Sequence, residues 1–229
     1  MANIVYFDLE STGLLKTNPD ITQIGAITSN CEESFDKYLI PNKSIPRDVE
    51  ELTGIKWDEE TQKMYKIINI KHKVKVDAVD AKTGLLSFII WLRKVSEDIG
   101  NGTKVVLVAY NAFRFDAKLL LQKIEENSLG SLFNSIVKGF IDPYVAVCEL
   151  HPSLTSKSQE NVLKYLKIYS DFKTQSHNAL QDANDLRRLC KKLHSDYNKT
   201  HSKMDFGLFY TKYFTLCENF YNQSSCVLS

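Results

Sequence analysis

The order of apolar segments limits the fold of this 229-residue chain more than any other feature of its sequence. Three short apolar segments at residues 3–9, 22–29 and 35–40 are typical of strands, and their turn-rich links predict an antiparallel meander. From residue 85 onward helical and strand patterns alternate, which predicts an α/β fold with a mixed sheet. The later predicted helices cover residues 85–99, 116–127, 160–169 and 178–199, and the later predicted strands cover 104–110 and 136–141.

Composition excludes several classes of protein. A hydrophobic content of 43% supports a core, and a net charge of +1 means that any nucleic-acid site must come from local clustering. The five cysteines include no CxxC pair, which argues against a disulfide framework or a zinc knuckle and for a reducing compartment. We expect neither a signal peptide nor a transmembrane helix, because acids follow the first apolar residues and no run of 18 apolar residues occurs.

The first predicted strand carries two acids in the sequence FDLEST. Alternate residues of a strand share a face, so Asp8 and Glu10 should point the same way, roughly 7 Å apart. Two carboxylates on a central strand are costly unless something pairs with them, and metal ions would do so. The alternative is an exposed edge strand with incidental acids.

The sequence SHNALQDANDL places a histidine and an aspartate at the start of a helix. His177 and Asp182 would lie about 140° apart on one helix, so they can meet only if His177 precedes it. Asn178, followed by Gln181 three residues later, is typical of a helix start. We therefore expect His177 on a loop and Asp182 in the first turn.

A third acid follows a later strand in the sequence YNAFRFDAKLLL. Asp116 should begin a helix, where the helix dipole favours a carboxylate whether or not it binds a ligand. Asn111 and Phe113 precede it in a strand-to-helix loop, and such loops often bind ligands.

Together these motifs predict a metal site. Oxygen ligands without cysteine suit Mg²⁺ or Mn²⁺. Two such ions about 3.5 to 4 Å apart can clamp the attacking and leaving oxygens of a phosphodiester. A histidine can accept the proton of the attacking water near neutral pH. The alternative is a set of satisfied surface acids. The predicted metal ligands are Asp8, Glu10, Asp116 and Asp182.

These three motifs, in this order, resemble those of the DEDDh 3′–5′ exonucleases of the RNase H-like fold, over most of residues 3–195. Within this family the chain is most similar to the three-prime-repair exonucleases and to the exonuclease-like domain of promyelocytic leukaemia protein isoforms. The resemblance implies a mixed five-stranded sheet, in which parallel strands extend the three-stranded meander.

The resemblance also implies a role for each residue. Asp8 would bridge two ions, the other three acids would complete the ligand shells, and His177 would activate the water. Many relatives have histidine where this chain has Tyr110, from which we expect altered groove packing and retained activity. The residues that would contact the terminal nucleotide or line its groove are Leu9, Ser11, Thr12, Leu14, Asn111 and Phe113.

Two further segments carry expectations. The lysine-rich stretch 62–76 predicts a strand with a basic face, which either binds phosphates or protects a sheet edge from aggregation. The aromatic residues from 200 onward have helical spacing, so we expect a domain at 1–199 and a C-terminal helix and tail at 200–229. The residues that have this helical spacing are Phe206, Tyr210, Tyr213 and Cys217.

The last four residues, CVLS, match a C-a-a-X box that predicts farnesylation of Cys226. One lipid chain gives only reversible binding, so we expect a cytoplasmic protein associated with the cytosolic face of a membrane. Palmitoylation of Cys217, a nuclear location and a homodimer are left open.

The function expected from all this is a metal-dependent 3′–5′ exonuclease that releases nucleoside monophosphates from single-stranded or frayed DNA. One alternative is the same chemistry on RNA or short oligonucleotides, since the sequence does not decide how the 2′-OH is sensed. The other is a non-catalytic nucleic-acid-binding or membrane-recruited scaffold with the same fold.

Overall fold

The computed structural model describes residues 3–69, 72–98, 103–168, 177–200 and 213–216. Strands and helices alternate as predicted, and the strands form two sheets. The strands are β1 (Asn3–Ser11), β2 (Ile21–Thr28), β3 (Ser34–Leu39), β4 (Ile55–Asp58), β5 (Lys63–Asn69), β6 (His72–Val76), β7 (Ala78–Val79), β8 (Val105–Val108), β9 (Val137–Ile141) and β10 (Phe214–Leu216).

The helices cover both faces of the main sheet. Alternation along β1 sends Val5 and Phe7 into a core with the helices between residues 81 and 136. It sends Ile4 and Tyr6 into a core with the helices between residues 143 and 200. None of the described helices is long and apolar enough to cross a membrane. The helices are α1 (Arg47–Thr53), α2 (Ala81–Asp98), α3 (Asp116–Glu126), α4 (Gly130–Ile136), α5 (Pro143–Leu150), α6 (Gln159–Tyr165) and α7 (Ala179–Thr200).

The main sheet has the order β10-β9-β8-β1-β2-β3-β7, with β1 in its centre. Strands β1, β2 and β3 form the predicted antiparallel meander, and β8 and β9 continue the sheet parallel to β1. The predicted RNase H-like arrangement is confirmed, and the short strands β7 and β10 extend its five strands at the two edges. Because β1, β8 and β9 are parallel, their carboxyl ends lie at one edge of the sheet.

The lysine-rich segment differs from its prediction as one strand. It forms the hairpin β5–β6, which pairs with β4 in a separate three-stranded sheet. Ile55 and Met64 are buried beneath this sheet. Lys73 and Lys75 are exposed, whereas Lys66, on the opposite face of β5, is 5% exposed. The single-strand prediction failed because it rested on the alternation near the end of the segment, which does not show where one strand ends and the next begins.

The predicted C-terminal helix is wrong for residues 214–216. Phe214–Leu216 is strand β10, which pairs antiparallel with β9, so part of the segment beyond residue 200 joins the main sheet. Tyr213 is buried, and its hydroxyl donates to Glu149 Oε2 at 3.3 Å. Phe206, Tyr210, Cys217 and Cys226 lie outside the described residues, so their helix and lipidation stay predictions.

Candidate active site

The site begins on β1, at the carboxyl edge of the main sheet. Val5, Phe7 and Leu9 point into the core, which leaves Asp8 and Glu10 on the other face, as predicted. Asp8 is half-buried and Glu10 is only 7% exposed. This is the central strand of the sheet, so the alternative of an exposed edge strand does not apply.

A glycine beside Asp8 lets a helix approach the sheet. Gly25 on β2 is the register partner of Asp8. A Cβ atom built on Gly25 would lie 2.5 Å from Leu180 Cα and closer still to Leu180 N and Ala179 C. The first turn of α7 therefore rests directly on the backbone of β2, next to Asp8.

The start of α7 is further fixed by side chains. Gln23, which is fully buried opposite Glu10 in the β1–β2 register, accepts a hydrogen bond from Ala179 N at 3.3 Å. The Nε2 atom of Gln23 donates to Asp36 Oδ1 at 2.8 Å, which orients the amide. Asn178 Oδ1 accepts from the backbone N–H of Gln181 at 3.2 Å, as the predicted helix start requires.

His177 precedes α7, as predicted, and the structure brings it to the carboxylates. Potential ligand atoms of Glu10, His177 and Asp182 all lie within 4.8 Å of one another. The backbone of His177 is left-handed, with φ of 68°, a conformation that is uncommon outside glycine. Because the chain turns sharply just before the helix, the side chains of His177 and Asp182 meet although they are five residues apart.

Asp116 reaches the site from the opposite side. It is the first residue of α3 and is 6% exposed. The preceding turn is held by Asp142, whose Oδ2 accepts from Phe113 N at 3.1 Å and whose Oδ1 accepts from Tyr144 N at 3.0 Å. Asp142 thus fixes the turn that delivers Asp116 while capping α5.

The surroundings of the four acids raise their pKa values, so their ionisation is unfavourable in the absence of cations. Burial, followed by the charges of the three other acids, raises the pKa of Asp8 well above its usual range. Burial also raises the pKa of Glu10 to about 8, with Asp182 adding to the shift and Lys66 opposing it. Burial raises the pKa of Asp116 to about 7, against hydrogen bonds from its own amide and that of Leu9. Such a cluster is stabilised as carboxylates only when positive charge is supplied.

The pKa values of Asp182 and His177 are also shifted by their surroundings. Burial and then the charge of Asp185 raise the pKa of Asp182 to about 6, with a backbone hydrogen bond at Asn178 opposing the shift. Burial lowers the pKa of His177, an effect that Glu160 opposes and Lys66 reinforces. His177 is therefore mainly neutral at pH 7 and able to accept a proton.

Of the residues predicted to contact a nucleotide, Leu9 and Ser11 lie at the end of β1, and the others lie on two loops beside these acids. Leu14 is 62% exposed, on a loop fastened by Thr12, whose N–H donates to Asp20 O and whose Oγ1 accepts from Asp20 N, both at 2.9 Å. Ser11 Oγ donates to Gly13 O at 2.8 Å. On the second loop, Asn111 has φ of 56°.

Three residues on or beside the second loop bear on ligand contact. The Oδ1 atom of Asn111 is buried without a hydrogen-bond partner among the residues that the structure describes. Phe113 packs partly against the core. Tyr110 packs edge-on against Tyr144, with ring centroids 5.8 Å apart, and its hydroxyl donates to Lys157 O at 2.7 Å. Tyr110 therefore packs against α5 and the segment before α6, and its expected effects on groove packing and activity stay predictions.

A family model for the Exuperantia RNase H-like domain matches residues 2–171. The chain belongs to the Exuperantia RNase H-like domain family. A solved structure of exonuclease I is similar, with a TM-score of 0.66 and 15% identity, over 92% of this chain and 44% of that one. The expected RNase H-like fold is thereby confirmed. These likenesses support the resemblance to the DEDDh exonucleases, and the closer likeness to the three-prime-repair exonucleases stays a prediction.

Two curated relatives are bacterial polymerases. The chain is 27% identical over 204 residues to a PolC-type DNA polymerase III of Clostridium perfringens, and 25% identical over 186 residues to that of Ureaplasma parvum. The matches cover 88% and 80% of this chain but only 12% and 11% of those proteins. Family, fold and relatives together support a nuclease.

Four residues of the site were not predicted from the sequence: Gly25, Gln23, Asp142 and Lys66. Asp142 carried a usable signal, because Asp followed by Pro143 is typical of a helix cap and first turn. The importance of the other three depends on contacts with residues more than a hundred positions away.

Proposed function

We propose that this chain is a divalent-metal-dependent nuclease that removes nucleotides from the 3′ end of single-stranded or frayed DNA. The observation that carries the proposal is the convergence of four carboxyl groups of raised pKa with a neutral histidine at one edge of the sheet. An isolated set of surface acids would be hydrated and would lack these shifts.

The residues present fit Mg²⁺ or Mn²⁺. All four acids offer hard oxygen atoms, and their buried negative charge lacks sufficient neighbouring positive charge. The charges of all three other acids act on Asp8 and raise its pKa, which suits a ligand shared between two ions. Bound ions would neutralise the charge that develops on the phosphodiester oxygens during hydrolysis.

The chain's own groups supply the remaining chemistry. His177, neutral near pH 7, would accept the proton of the attacking water, and Glu160 would stabilise the resulting imidazolium charge. The exposed side chain of Leu14 would pack against the terminal base. The Oδ1 of Asn111, which has no hydrogen-bond partner within the described part of the chain, would accept a hydrogen bond from the substrate.

The test is degradation of a 5′-labelled single-stranded DNA with Mg²⁺ or Mn²⁺, beside an RNA of the same sequence. The proposal predicts a ladder that shortens from the 3′ end of the DNA, and its loss in His177→Ala. A ladder with RNA alone would transfer the proposal to an exoribonuclease. The absence of cleavage of both substrates at micromolar protein would favour the non-catalytic binding module.

A further inference from the structure

We propose that Lys66 is a positioning residue that holds the His177 loop over the carboxylates and ties it to the second sheet. The inference deepens the proposed function and rests on it. Lys66 is 5% exposed, an uncommon state for a lysine. Its Nζ donates to Thr53 O at 2.6 Å and to His177 O at 2.9 Å.

The Thr53 end of this bridge is a firm anchor. Thr53 is the last residue of α1, and the carbonyl groups at a helix C-terminus attract a cation. The following Gly54 has φ of 65°, and its N–H donates to Glu50 O at 2.8 Å. Ile67, directly after Lys66, donates from its N–H to Gly54 O at 2.7 Å. The backbone that carries Lys66 is thus fixed to the same helix end that its ammonium contacts.

The His177 end needs such support. A non-glycine residue keeps a left-handed backbone only where its surroundings hold it there. Two backbone groups at and just after this turn are tied to different elements: the His177 carbonyl to Lys66 on β5, and the Ala179 amide to Gln23 on β2. The ring of His177 can point at the acids only while this turn persists, so Lys66 determines the orientation of the proposed base.

The placement of the ammonium also matches the charge of the site. Glu10 and Asp182 lie close enough for Lys66 to lower the pKa of each. Lys66 faces the inner side of the second sheet, whereas neighbouring residues on β5, such as Lys63, are exposed. The second sheet therefore serves the site through this one described lysine, whose partner on the loop lies 111 positions further along the chain.

The test compares Lys66→Met with wild type and with Lys82→Met, which removes an exposed lysine on α2, on the other face of the main sheet. We expect kcat of Lys66→Met on single-stranded DNA to fall on the order of 100-fold with KM nearly unchanged, because a displacement of about 1 Å has that effect on a catalytic group. We expect faster amide hydrogen exchange at residues 177–182, with exchange in α2 unchanged. Lys82→Met should match wild type in both.

Unchanged kcat, or a lower kcat with exchange at 177–182 as slow as in wild type, would overturn the proposal. If Lys66→Met does not fold, Lys66→Ala, which also removes both hydrogen bonds of the ammonium group, is measured in the same way under the same criteria. The exchange experiment needs no nuclease activity. An inactive wild type would therefore defeat the proposed function, while exchange would still decide whether Lys66 holds the loop.

Discussion

Gly25→Ala is the substitution that tests most sharply how the fold builds the site. The new Cβ would lie 2.5 Å from Leu180 Cα, whereas ordinary van der Waals contact begins at 3.4 Å. The obstructing atoms belong to the backbone of α7, so no side-chain rotation can relieve the overlap. The start of α7 must therefore withdraw from β2 by at least about 1 Å, because Leu180 N and Ala179 C lie closer still to the new Cβ.

The substitution should lower both the stability of the protein and its catalytic rate. Overpacking of this kind costs about 1–3 kcal/mol of unfolding free energy. The same displacement carries His177 and Asp182 away from Asp8 and Glu10, and a shift of about 1 Å in a catalytic group lowers the rate roughly 100-fold. We therefore expect a folded protein whose activity falls far more than its stability.

The control is Gly84→Ala on α2. Its new Cβ would meet Leu39 Cγ at 2.7 Å, but Leu39 is a flexible side chain in the core on the other face of the sheet. We expect Gly84→Ala to lower the urea midpoint while kcat on labelled single-stranded DNA stays within about twofold of wild type. The reasoning is refuted if Gly25→Ala keeps wild-type kcat, or if both variants lose activity in proportion to their lost stability.

Three other predictions concern the pH dependence of stability, the turn at residues 111–115 and the exposed loop that carries Leu14. In metal-free protein the folded state keeps protons on Glu10 and Asp116 that the unfolded chain loses above about pH 4.5. Stability should therefore fall as pH rises from about 5 to 8 in EDTA, and Mg²⁺ or Mn²⁺ should raise the melting temperature more at pH 8; melting temperatures that rise with pH in EDTA would contradict this. Asp142→Ala leaves the amides of Phe113 and Tyr144 without their acceptor, so we expect a loss of about 1–2 kcal/mol in urea unfolding and a lower kcat; unchanged unfolding would contradict this. Leu14→Ala should change stability by less than about 0.5 kcal/mol, since Leu14 is 62% exposed, yet raise KM for DNA about fivefold, equivalent to about 1 kcal/mol of lost apolar contact; an unchanged KM would remove Leu14 from the substrate site.

Local patterns were sufficient to predict much of the site. The alternation around Asp8 and Glu10 predicts their shared face, and the apolar stripe of α7 predicts that His177 precedes the helix. Both signals depend on a few neighbouring residues, whose backbone geometry repeats with a fixed period. The order of strands and helices predicts the sheet for the same reason.

What the sequence did not predict depends on contacts between distant segments. Nothing in the sequence distinguishes Gly25 from another glycine in a strand; its role follows from its contact with α7. Likewise, Lys66 is one of several lysines in its segment, and its role follows from its hydrogen bond to the His177 carbonyl. The β5–β6 hairpin was predicted as one strand, because the alternation of lysines with other residues near its end was taken to apply to the whole segment. The strand at Phe214–Leu216 was predicted as helix, because its pairing partner β9 lies more than seventy residues earlier. At Phe214–Leu216, pairing with a distant strand overrode the local helical spacing.

The central claim is that these four carboxylates form a site that hydrolyses phosphodiesters. The most direct measurement is single-turnover cleavage of a 5′-labelled single-stranded DNA with Mg²⁺ by wild type and by Asp8→Asn, with DNA binding of both measured by fluorescence anisotropy. The account predicts stepwise shortening from the 3′ end by wild type, and retained binding without cleavage by Asp8→Asn. Equal cleavage by the two proteins, or binding without cleavage by wild type, would contradict it.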